Sequence, residues 1–112
     1  MFVCSIELLS TLRQEDGEPT YFVVAKFNFD PGLQPEDELW VNWEVWGKAY
    51  NLKTKVLNRK KEVFAPDSKL QREYGDEAAK NGLFMLRIFV EAEDRDAVLE
   101  LCEAIERNTR MR

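Results

Sequence analysis

FVCSIELLSTLRQEDGEPTYFVVAKFNFD, residues 2–30, is the stretch on which the fold turns. Its first limb alternates. Phe2, Cys4, Ile6, Leu8 and Leu12 fall on one side, and Val3, Ser5, Glu7, Leu9, Thr11 and Arg13 on the other, which is the two-residue period of a strand. The second limb repeats the pattern, with Tyr21, Val23, Ala25, Phe27 and Phe29 as an unbroken apolar face opposite Thr20, Phe22, Val24, Lys26, Asn28 and Asp30. Between the limbs lies Asp16-Gly17, a pair that readily takes the positive φ angles of a two-residue type I′ turn. That turn sets Leu12 across from Tyr21, Leu8 from Ala25, Ile6 from Phe27 and Cys4 from Phe29, so the apolar faces coincide. It also sets Glu7 opposite Lys26, a favourable cross-strand pair. The spacing predicts an antiparallel hairpin.

Outward from this hairpin, Asp30-Pro31-Gly32 stops the second strand, and Pro35 with Glu36, Asp37 and Glu38 completes a loop. Residues 39–50 read as one strand, Leu39, Val41, Trp43 and Val45 against Trp40, Asn42, Glu44, Trp46, Lys48 and Tyr50. Residues 52–65 read as a fourth strand, interrupted by a bulge or second turn at Asn58-Arg59-Lys60-Lys61. Asp67 or Ser68 caps a helix carrying Leu70, Tyr74 and Ala78, weakened by Gly75 and ended by Asn81-Gly82. Residues 83–92 form a fifth strand with Phe84, Leu86, Ile88 and Val90 on its apolar side. A last helix opens at Asp94 or Asp96. It carries Ala97, Val98, Leu101, Cys102 and Ile105 as one stripe, with Arg107, Arg110 and Arg112 at its end. The expected fold is a single α+β domain over residues 1–112: a mixed, mostly antiparallel five-stranded sheet in the order β-β-β-β-α-β-α, with two helices packed on one face. A right-handed crossover through the first helix would lay strand five parallel to strand four, and the expected strand order is 4-3-2-1-5.

Composition bounds the function. The chain has 112 residues, 45% hydrophobic and 33% charged, with net charge −5, the profile of a globular domain. Six basic residues and no acid lie in residues 48–61, which leaves the remainder at −11. There is no histidine, and Cys4 and Cys102 form no CxxC pair. A structural zinc site of four Cys/His ligands is therefore excluded, and no other metal or cofactor is expected. Residues 2–12 lack a basic leader and a cleavage motif, and no apolar run is long enough to span a bilayer. Together with two unpaired thiols, this points to the cytoplasm.

Three function classes follow. The first is protein interaction. The sheet face opposite the helices is expected to carry Leu9, Phe22, Val24, Trp40, Trp46, Tyr50, Met85 and Phe89, too many large apolar groups for a face left to water. A homodimer packed sheet to sheet through Phe22, Val24, Trp40, Trp46, Tyr50 and Phe89 is the leading expectation, with Trp46→Ala shifting it toward monomer. The second is an anionic ligand, single-stranded nucleic acid included, bound by Lys48, Lys53, Lys55, Arg59, Lys60 and Lys61 beside Trp46 and Tyr50; the acidic remainder opposes it. The third is a small-ligand carrier or enzyme with a pocket inside the dimer. Catalytic residues are not identifiable: the commonest general base is missing, both cysteines lie on apolar faces, and no nucleotide or hydrolase motif occurs. The acids Glu91, Glu93, Asp94 and Asp96 match no cation loop and suit a helix N-terminus.

Overall fold

The structure, a computed structural model, describes residues 1–10 and 19–110. The Asp16-Gly17 turn, the Leu12 end of the first strand and Arg112 lie outside those residues. Five strands, β1 (Phe2–Ser10), β2 (Thr20–Phe27), β3 (Glu38–Val45), β4 (Lys48–Phe64) and β5 (Leu83–Ala92), form one sheet. Two short helices, α1 (Gln71–Tyr74) and α2 (Asp76–Asn81), precede β5, and α3 (Arg95–Arg110) follows it. The class is α+β, and the sheet is mixed and mostly antiparallel: β1–β2, β3–β4 and β4–β5 run antiparallel and β1–β5 parallel.

The strand order is β2-β1-β5-β4-β3, not 4-3-2-1-5. Strands β2 and β3 do not pair; they are the two edges. The loop between them is held across β4 instead, where Arg59 donates to the Leu33 carbonyl at 2.8 Å and to Asp30 at 2.5 Å. Val56 exchanges backbone hydrogen bonds with Glu36 and Asp37. Strand β5 is antiparallel to β4, because the 65–82 segment leaves and re-enters the sheet at the same end: Phe64 pairs with Leu83. The helical segment is too short and too broken to carry the chain back along β4. Asp67 caps it through the Lys69 amide, and Gly75, at φ 90°, splits it.

The helices lie on opposite faces. Helix α3, capped by Asp94 at the Ala97 amide, buries Val98, Leu101, Cys102 and Ala104 against Cys4, Ile6, Leu8, Leu52, Ile88 and Val90. Burial of a side chain such as Leu101 stabilises the fold by about 1.5–3 kcal/mol. Segment α1–α2 covers the other face near one end, where Val3, Ala78 and Leu83 pack with Leu70, Tyr74 and Met85. The sheet curls around the α3 side until its edges touch: the rings of Phe22 in β2 and Trp43 in β3 stand 5.5 Å apart.

Two local corrections change where side chains point. The β1–β2 register sets Cys4 against Phe27 and Ile6 against Ala25, two residues from expectation, and a bulge at Ile6/Glu7 then pairs Leu8 with Phe22. The extra residue turns Phe22 to the core side. Lys26 consequently faces Ser5, not Glu7. Residues 39–50 are two strands joined by a turn at Trp46-Gly47, both with positive φ (54° and 77°). The two-residue reversal pairs Tyr50 with Trp43, so Tyr50 joins the core. The interruption in the basic segment is a bulge between Val56 and Asn58, and β4 continues through it.

Candidate functional site

The six residues expected on one docking face are dispersed. Phe22 and Val24 pack against the core, and Tyr50 belongs to it. Phe89 is buried on the far face, under Tyr21 (4.6 Å between rings) and Arg87 (4.9 Å). Trp40 and Trp46 stay exposed, at 59% and 67%, one on the outer side of an edge strand and the other on a turn.

The centre of that far face is ionic. Glu7 is only 5% exposed and accepts from Ser5 at 2.9 Å. Arg87 grips it with both ends of a fork, Nε at 2.6 Å and Nη2 at 2.8 Å, and extends Nη1 to Glu62 at 3.3 Å. Burial pushes the Glu7 carboxyl upward, but the hydrogen bonds from Arg87 and Ser5 outweigh it and hold the group below its ordinary value. The network is fully partnered: no buried side-chain polar atom of the described residues lacks a hydrogen bond.

The basic segment is neutralised locally. Lys53 lies near Glu38 and Glu93, Lys55 near Glu36, Arg59 against Asp30 and Lys60 near Glu62. Lys61 adds to the field that, behind the Gly32 amide and Arg59, lowers the Asp30 pKa. Lys48 stands apart at the other end of β4, bonded to Glu100 of α3. Five of the six cations thus lie beside a carboxylate, and Lys48 is separated from the rest. Cys4 and Cys102 are buried free thiols with pKa values raised chiefly by that burial. No helix among the described residues is long and apolar enough to cross a membrane.

Two other surfaces emerge. Helix α3 covers the end of the concave face where β1 and β5 finish, and leaves the end where they begin. There Phe2, Phe84 and Val63 stand abreast on β1, β5 and β4, with the Phe2 and Phe84 rings stacked at 5.7 Å. In the next rank is Phe27, against which Phe29 packs at 5.4 Å. Val63 is 75% exposed, and Phe27, Phe29 and Phe84 are exposed too. This apolar end escaped sequence reasoning because it needs β1, β5 and β4 to be neighbours. Its one legible sign was Phe27 and Phe29 continuing the apolar alternation. The second surface is a cleft of about 360 Å³ at the opposite end, between the β3–β4 turn and α3, lined by Val45, Trp46, Lys48, Tyr50, Ala104 and Arg107.

No family model matches the chain, and no curated protein or solved structure is significantly similar to it.

Proposed function

We propose that the chain is a small protein-interaction domain that binds a second copy of itself through the uncovered end of its concave sheet face. The carrying observation is the row Phe2, Phe84 and Val63, continued by Phe27 and Phe29. Contiguous exposed apolar surface on a domain this small is costly in water and is relieved by association. The rim carries Lys61 beside the row on β4 and, beyond Phe29, Asp30 already bonded to Arg59. A two-fold axis lays the apolar row against its own copy and buries both rows at once, with no second surface needed. Two buried thiols suit a reducing, cytoplasmic setting for such a domain.

Analytical ultracentrifugation tests the reading. The wild-type chain is expected to be dimeric at tens of micromolar. Val63→Lys, at a site already open to water, is expected to weaken the dimer at least tenfold with the circular dichroism spectrum unchanged. A wild-type monomer at 100 μM, or a Val63→Lys dimer of undiminished affinity, overturns it.

A further inference from the structure

We infer that the cleft between the β3–β4 turn and helix α3 is a binding site for a small aromatic anion, a flat ring bearing a carboxylate or phosphate. The strongest pointer is Trp46. Its backbone sits at φ 54° in the first position of a two-residue turn, where Asn, Asp or Gly relieves the steric cost and a bulky side chain does not. The indole gains little burial in return, being largely exposed. A strained, exposed Trp that lines a cleft is accounted for by what the cleft holds.

The lining supplies both halves of a recognition surface. Trp46 and Tyr50 are aromatic, Val45 and Ala104 give an apolar floor, and Lys48 and Arg107 bring two cations. Both cations line the same cleft, and Lys48 is bonded to Glu100. Lys48 also lies 5.2 Å from the centre of the Tyr50 ring. Glu100 answers one positive charge of the two. Arg107 makes no ion pair with a carboxylate among the described residues. An anion seated between Lys48 and Arg107 meets two cationic donors, and its ring meets the apolar walls. The volume of about 360 Å³ admits a bicyclic ring. This site lies at the end of the sheet away from the proposed dimer face, so neither reading depends on the other.

Isothermal titration calorimetry with naphthalene-2-carboxylate, its neutral carboxamide and adenosine monophosphate tests the inference. The carboxylate is expected to saturate at one site per chain, and the carboxamide to bind at least tenfold more weakly. Trp46→Asn and Arg107→Met are each expected to lower carboxylate affinity at least fivefold with the fold retained. Tighter binding of adenosine monophosphate than of the carboxylate assigns a nucleotide, and the reverse order assigns an aromatic acid; both support the site. Equal binding of carboxylate and carboxamide, no saturation by either anion at 10 mM, or undiminished binding by both variants overturns it.

Discussion

At the scale of single residues, the Glu7–Arg87 pair shows how unequal two partners in one contact can be. Glu7 is sealed, whereas the Arg87 side chain is 30% exposed and has Glu62 as a second acceptor. Arg87→Met strands a buried carboxylate and is expected to cost about 3–5 kcal/mol. Glu7→Gln retains the Ser5 contact and leaves Arg87 a partner, and is expected to cost about 1–2 kcal/mol. Urea denaturation of both variants checks the order. The pair also sets a pH response. The folded carboxyl titrates below its unfolded value, so its contribution is complete above the ordinary Glu range near pH ~4.3 and is lost as pH falls through the folded value. Wild-type stability is expected to drop on acidification in that window, and Glu7→Gln to flatten the drop. Trp46 is the converse case. Trp46→Asn removes left-handed strain and is expected to stabilise the fold by about 1 kcal/mol while emptying the cleft of its indole. That opposition between stability and site is measurable in one variant.

At the scale of elements, the 65–82 connection decides the topology through one close approach. Gly82 takes φ +90°, and a Cβ there would meet the Phe64 carbonyl oxygen at 2.8 Å. The chain can therefore turn from α2 into β5 beside the end of β4 only without a side chain. Gly82→Ala is expected to cost about 1–3 kcal/mol in thermal or urea unfolding, and Gly75→Ala less, since its position has open space around it. The limits of β5, the two caps and the α3 stripe were legible, because capping and periodicity are local. The Trp46-Gly47 turn was not: Val, Trp and Tyr on both sides of it continued the alternation, and β propensity masked a reversal that Gly47 alone signalled.

At the scale of the whole molecule, the sheet is built outward from its most distant sequence partners. Phe2 pairs with Phe84 across nearly the full chain, and that β1–β5 ladder sits at the centre, with β2 and β3 as edges. Exchange with solvent deuterium is expected to follow this order, slowest in the amides of β1 and β5 and fastest in β3 and β2. Uniform protection across the five strands would contradict the central placement. The same curl that brings Phe22 to Trp43 leaves the beginning of β1 and β5 beyond the reach of α3. At 1.5 Å per residue, a helix of 16 residues that covers one end of the strands does not cover both. The exposed Phe2–Phe84–Val63 row is a consequence of that mismatch.

The α+β class, five strands, the capped and striped C-terminal helix, two thiols on apolar faces and a surplus of large apolar side chains could be read from the sequence alone, because each follows from periodicity, capping and composition within a short window. Only the tertiary structure decided strand order, the sides on which the helices lie, and which aromatics remain in water. Those depend on long-range pairing and on one-residue events: a bulge at Ile6/Glu7 carries Phe22 inward, a two-residue turn carries Tyr50 inward, and Arg59 ties the β2–β3 loop across β4. A single inserted residue exchanges the faces of everything after it, and no local pattern records which face the rest of the chain will cover.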